Sequence, residues 1–369
     1  PQVVIVVAHT SMGKGDGQNL ERQGLDLFNS LKGVDVLVTG HDHSTKVLKT
    51  DSTVLLDCGR AGQYACLADI KLVVRGGKVI SRSLSGEVES FGSENYDTAM
   101  EEAFKSDYEK VRDFNASHVG EVKKDLVSRE FYYRQCDYMN FLHALAFSAW
   151  PVDISLSATL LIDGMVPAGE VRYQDIRKIY PYDNKLVVLR LTGAEILRYL
   201  EASYDAWIST VPGPAEGSHV LRITQTKDYA TGGMKWKLAK SPANFDSAAG
   251  IRYTVDVTKP YGSRVTVSGM ADGSPFEMDK DYSVAITSYR STGSGGLMKA
   301  AGLMDARSVE DRIIYRGPEF RTILYRYLKK HGSIDPAVVG DPNVVGSWRF
   351  VPDFAPEAIK ADVELIYGK

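Results

Sequence analysis

Val34-Asp35-Val36-Leu37-Val38-Thr39-Gly40-His41-Asp42-His43 decides the fold of the amino-terminal part. It is a β-branched apolar run ending in glycine and histidine, and it has a twin in Val3-Val4-Ile5-Val6-Val7-Ala8-His9. Short apolar runs closed by turn residues read as buried strands. Between them Leu20, Gly24, Leu27, Phe28 and Leu31 fall on one face at helical spacing. Strand, helix, strand is a βαβ unit, and the crossover makes its strands parallel. Parallel neighbours end at the same edge of the sheet, so His9 and the Gly40-His41-Asp42-His43 turn converge where open α/β sheets place ligand crevices. Imidazole is the commonest metal ligand, and His41 and His43 can address one ion or two neighbouring ones. Spacing alone also admits loop histidines satisfied by backbone hydrogen bonds.

Further strands are predicted at Val54 to Leu56 and Leu67 to Val74, the latter closing on Arg75-Gly76-Gly77-Lys78, which has the glycines of a tight hairpin. The first domain ends near Glu94. Residues 97–114 carry Met100, Phe104, Tyr108 and Val111 at helical spacing among many charges, as in a connecting helix wet on most sides. Beyond it, Tyr138 to Trp150 reads as an apolar helix. Thr192-Gly193-Ala194-Glu195 offers a capping box for a helix burying Ile196, Leu197 and Leu200. Strands at Lys185 to Leu191, Arg252 to Val257 and Tyr282 to Ser288 complete a mixed second domain. Gly13-Lys14-Gly15-Asp16-Gly17 lacks the spacing of a phosphate-binding loop and reads as a loop beside His9.

The composition bounds the function. With 369 residues, 44% hydrophobic and 25% charged, the chain is globular and long enough for two domains. A formal net charge of -3 supplies no basic field for nucleic acid or an anionic membrane. Cys58, Cys66 and Cys136 lack C-x-x-C spacing, so no thiolate zinc cage is indicated; one disulfide at most is possible, and Cys58 and Cys66 are read in preference as reduced strand-core residues. The first apolar run is too short to span a bilayer. It opens almost at residue 1, so the chain is read as a carboxy-terminal piece of a longer protein.

A second chemical signal is aromatic. Pro181-Tyr182-Asp183-Asn184 precedes one strand, and Ser288-Tyr289-Arg290-Ser291-Thr292-Gly293-Ser294-Gly295-Gly296 follows another. Two exposed rings can clamp a flat ligand such as a nucleobase, and an amide such as Asn184 can read its edge. The alternative for any of the 20 tyrosines is core packing with a polar tip.

The order of these motifs, strand-His9, Gly40-His41-Asp42-His43, a linker helix, PYDN and YRSTGSGG, resembles the secreted 5'-nucleotidase family. The likeness is nearest to its bacterial 2',3'-cyclic-nucleotide 2'-phosphodiesterase/3'-nucleotidase branch. It extends through Lys178-Ile179-Tyr180 and Ala248-Ala249-Gly250-Ile251-Arg252-Tyr253-Thr254-Val255-Asp256-Val257. The resemblance implies a mixed α/β and α+β protein. Residues 1–95 would be the carboxy-terminal portion of a metallophosphoesterase sandwich of αββα type and 96–118 a linker helix. Residues 119–369 would be the 5'-nucleotidase C-terminal substrate-binding domain. It also implies two divalent ions, manganese, zinc or similar, with His9 and His41 on one and His43 on the other. Tyr182 and Tyr289 match the pair that sandwiches the base, Asn184 a polar base contact, and Gly293, Gly295 and Gly296 the glycine loop. Position 295 is often acidic in the family, which leaves its ribose or loop contacts open here.

Family members carry D-x-H, G-D and G-N-H-[DE] ahead of the first isolated histidine, and these supply the bridging aspartate and the phosphoryl-contacting residues. None precedes His9 in this chain. Three histidines without that carboxylate do not hold two ions close together. The expectation is therefore a hydrolytic parent, acting on nucleotides in the periplasm or outside the cell, free or anchored at the surface, and possessing no membrane span. This chain alone is expected to be inactive, with no catalytic residue of its own and the upstream segment as its partner. The alternatives are 5'-nucleotidase or UDP-sugar hydrolase activity in the parent, or a non-catalytic nucleoside-binding module.

Overall fold

Strand β1 (Ile5–Ala8) pairs in parallel with β2 (Val36–Thr39), in the register Ala8 to Thr39, so His9 and Gly40 leave the sheet side by side. This is the βαβ unit read from the sequence, with α1 (Gly24–Ser30) as its crossover. The computed structural model describes residues 1–17, 22–92, 97–215, 217–228, 232–303, 306–336 and 343–368. Leu20, at the head of the expected helical pattern, and the expected domain boundary near Glu94 lie outside them.

The sheet continues through β4 (Val54–Cys58), parallel to β2, and β3 (Thr45–Lys49), antiparallel to β4, in the order β1-β2-β4-β3. Its pleat sorts side chains by parity. Leu37 and Leu55 are buried with Met12 on one face, and Val36, Val54 and Leu56 with Leu84 on the other. Leu84 belongs to a long hairpin, β5 (Tyr64–Arg75) and β6 (Lys78–Ser90). Gly76 and Gly77 turn it with φ of 58° and 76°, the paired left-handed geometry that favours glycine. Gly86 lets it approach the sheet, since a Cβ there would lie 2.6 Å from Val54 and 2.8 Å from Leu56. Arg82 ties it down electrostatically through buried Asp35. At the other edge, β1 leaves Ile5 and Val7 exposed.

Cys58 and Cys66 form a disulfide, which corrects the expectation of two reduced core residues. The chain reverses after β4 through Gly59 and Gly62, both at positive φ, and brings the Cα atoms to 5.6 Å, within bonding reach. Cys136 is free and buried.

Helix α2 (Thr98–Ala116) buries none of its side chains. Met100, Phe104, Tyr108, Val111 and Phe114 are all exposed on it. The chain divides into two compact units within this helix, Pro1–Asp107 and Tyr108–Lys369.

The second unit is built on a five-stranded mixed sheet. Its strands run in the spatial order Asp246–Ala249, Ile154–Ala158, Asp281–Thr287, Lys185–Thr192, Ile313–Glu319. The helices Asp137–Ala149, Gly193–Trp207 and Phe320–His331 pack on it, and Ala355–Tyr367 packs against the strands Trp348–Val351 and Met234–Leu238 beside it. Gly193–Trp207 starts as the sequence predicts. Glu195 N–H donates to the Thr192 hydroxyl at 3.2 Å and Thr192 N–H to the Glu195 carboxylate at 2.7 Å. Leu186, Leu189, Ile196, Leu200, Val284 and Ile286 are among the buried side chains of one continuous core.

Candidate functional site

Two clusters hold the residues singled out by the sequence, one in each unit. In the first unit His9 and His41 meet, with Nε2 and Nδ1 3.3 Å apart and the rings edge to face. His41 and His43 sit at φ of 89° and 55°, so the turn is folded into the left-handed region that side chains with a Cβ seldom occupy. Asp42 holds it there. Its carboxylate accepts the Met12 backbone N–H at 2.7 Å, and that bond holds the Asp42 pKa below the usual carboxylate value. All three histidines are exposed.

Imidazole is a common metal ligand, but these three alone do not make up a shared donor set. Among the described residues no group of three His, Cys, Asp or Glu is placed to share an ion. Asp57, across the ladder from Thr39, is fully buried, and neither of its carboxylate oxygens has a hydrogen-bond partner among the described residues. Burial, then the nearby Asp42 charge, raises its pKa. It forms no such group with the histidines. The residues present do not by themselves fit a pair of divalent ions.

In the second unit the sheet brings distant motifs to one edge. Leu186 pairs with Thr287 and Asp246 with Ala158 in antiparallel registers. The chain before Lys185 and the chain after Thr287 therefore emerge together, and the Lys185 N–H donates to the Ser288 hydroxyl at 3.0 Å. Tyr182, Asn184 and Tyr289 line a common pocket of about 160 Å³, whose walls include Leu156, Ala158 and Leu160. Tyr182 and Tyr289 keep 47% and 44% of their surface exposed, whereas Tyr132, Tyr138, Tyr180, Tyr199, Tyr204 and Tyr282 are buried in the core. The core-packing alternative thus describes those six and not these two. Gly293, Gly295 and Gly296, with φ between 75° and 86°, shape the loop beyond Tyr289 without lining the pocket.

Two arginines that the sequence reading passed over organise this edge. Arg321 donates from Nε to the Tyr180 carbonyl at 3.0 Å and from its other nitrogens to Pro181 O and Asp183, which pins the turn carrying Tyr182. Arg290, inside the motif that was quoted, is buried and forks onto buried Asp246. Burial works against the Arg290 charge, and Asp246 followed by Tyr199 outweighs it, so its pKa rises. Burial and then the Asp246 charge push the Tyr199 pKa well up, so its hydroxyl remains a donor to Asp246. Neither pairing crosses a recognisable sequence interval, so only Arg290's place beside Tyr289 hinted at it. His143 was also passed over; it is buried between the Ser155 and Ser247 hydroxyls at 3.0 and 3.2 Å.

The family model for the 5'-nucleotidase C-terminal domain matches residues 118–302. The trifunctional nucleotide phosphoesterase protein YfkN of Bacillus subtilis is 22% identical over 386 residues, covering 90% of this chain and 25% of that protein. The 2',3'-cyclic-nucleotide 2'-phosphodiesterase/3'-nucleotidase of Haemophilus influenzae is 28% identical over 203 residues, covering 51% of this chain and 26% of that protein. A Staphylococcus aureus chain assigned as a 5'-nucleotidase superposes with a TM-score of 0.61 at 17% identity, over 94% of this chain and 64% of that one. That last likeness is one of fold. The chain spans about a quarter of the length of the two curated relatives.

Proposed function

The chain belongs to the 5'-nucleotidase C-terminal domain family, and on that premise we propose that it is part of a metal-dependent nucleotide phosphohydrolase. Its activity is that of a 2',3'-cyclic-nucleotide 2'-phosphodiesterase/3'-nucleotidase, and residues 119–369 read the nucleoside. The observation that carries the proposal is the pocket between two half-exposed tyrosines beside Asn184. A base stacks on such rings at about 1–3 kcal/mol by alanine substitution. The amide offers both a donor and an acceptor to the base edge. Binding energy gathered there, away from the reacting bond, orients the phosphoester.

His9, His41 and His43 belong in this reading to the metal centre, and an upstream segment of the same protein supplies the remaining ligands and the phosphoryl-contacting side chains. Divalent ions, if held there by His9, His41 and His43 together with the upstream ligands, would supply charge stabilisation at the phosphoryl oxygens. What this chain contributes at that edge is a rigid presentation of two imidazoles, with Asp42 fixing the turn through Met12. By itself it binds nucleoside without hydrolysing the ester. The disulfide between Cys58 and Cys66 suits an exported protein.

The test uses the longer protein that contains this chain. It hydrolyses 2',3'-cyclic AMP and 3'-AMP faster than 5'-AMP, and Tyr182→Ala raises KM on both preferred substrates. Preference for 5'-AMP would move the assignment to a 5'-nucleotidase, and an unchanged KM would remove Tyr182 from the substrate site.

A further inference from the structure

We propose that Arg290 is the positioning residue of the base pocket: it lines the pocket, has no hydrogen bond to spare for a ligand, and acts by fixing Tyr289 and the glycine turn. A guanidinium has five N–H donors. Here each has its acceptor. Nε donates to Asp246 Oδ2 at 3.0 Å, and one Nη2 hydrogen goes to Asp246 Oδ1 and the other to the Ala243 carbonyl. Nη1 serves Asn244 Oδ1 at 2.9 Å and the Ser294 carbonyl at 3.3 Å. These acceptors come from two separated stretches, 243–246 and 294, so one side chain locks the start of an edge strand to the loop after Tyr289.

Two consequences follow for the ligand. The Arg290 Cζ lies 5.3 Å from the Tyr289 ring centroid, within cation–π range, so the plane of the fork sets the ring that stacks on the base. The Ser294 carbonyl is held between Gly293 and Gly295, both left-handed. A Cβ on Gly295 would stand 2.2 Å from Asn244 Oδ1 and 2.5 Å from Arg290 Nη1. The network thus occupies the space a side chain at 295 would need, which explains glycine at this position. With Arg290 paired to Asp246 and its donors spent, the pocket floor carries no free charge. It suits an uncharged flat ring better than a phosphate, which would find no free cation there, and this places the phosphate end of the substrate outside it.

This inference rests on the pocket being the nucleobase site, and the experiment separates the two claims. Adenosine is titrated into the full chain and into Tyr182→Ala, Arg290→Lys, Tyr289→Leu and the Arg290→Lys/Tyr289→Leu double variant. Lysine keeps the positive charge opposite Asp246 and loses the fork. The expected result is that Arg290→Lys weakens adenosine roughly tenfold, and that the same change in the Tyr289→Leu background costs little. Equal losses in both backgrounds, or no loss in either, would overturn the positioning role while leaving the base site intact. Failure of the wild-type chain to bind adenosine, or binding indifferent to Tyr182→Ala, would overturn the base site and this role with it. Asn244→Ala, which frees one Arg290 donor and leaves the ion pair, repeats the cycle should Arg290→Lys not fold; it is expected to weaken adenosine only where Tyr289 is present.

Discussion

Gly295 and His143 show how much a single position can carry. The resemblance marks 295 as a place for an acidic residue, and the geometry forbids one: φ is +77°, and the space beside the Cα is filled by Asn244 and Arg290. Gly295→Ala is predicted to destabilise the chain by at least about 1 kcal/mol in urea unfolding and to weaken adenosine binding; an unchanged midpoint would contradict the packing described. His143 is a titration effect. Burial lowers its pKa to about 4, with the smaller pull of the Asp246 charge opposing. In the unfolded chain it titrates near the ordinary value of about 6.5. Between those values the unfolded state holds the extra proton, so stability rises with pH across that window and falls on acidification by up to about 1.4 kcal/mol per pH unit. Above the window the contribution is constant. His143→Gln is predicted to flatten this acid limb in thermal melts from pH 4 to 7; an identical slope in the variant would show that other groups carry it.

At the scale of elements, legibility followed locality. The βαβ unit, the Gly76-Gly77 hairpin and the Thr192 capping box were readable because each rests on neighbours a few residues apart. The two tyrosines were readable as motifs, but their shared pocket depends on the Leu186–Thr287 register, which no local pattern encodes. The same holds for Arg290 with Asp246 and for Arg321 with the 180–183 turn: these are pairings across sequence gaps, where charge and residue type name no partner. Cys58 and Cys66 were misread for a related reason. Both sit in apolar strand patterns, and only the glycine-mediated reversal between β4 and β5 brings them together. Closing that short loop is worth about 2–3 kcal/mol in the chain-entropy account. A reductant is therefore predicted to lower the melting temperature of the chain, and thiol titration in denaturant to find one free thiol, Cys136; three free thiols without reductant would contradict the bond.

For the whole molecule, the proposal divides the labour between the two clusters. In that proposal the histidine edge of the first unit needs further ligands from elsewhere, while the pocket of the second unit binds the base with its own residues. A net charge of -3 gives no general attraction for polyanions, so the proposal rests recognition on the pocket and not on a basic surface. Among the described residues no helix is long and apolar enough to cross a membrane. The central claim, that the second unit reads a nucleoside independently of metal, is tested most directly by calorimetric titration of adenosine into this chain with chelator present, beside Tyr182→Ala. The account predicts saturable binding to one site, weakened in the variant by about 1–3 kcal/mol. No saturable heat, or equal affinity in both proteins, would contradict it and leave Tyr182 and Tyr289 as surface residues without a ligand.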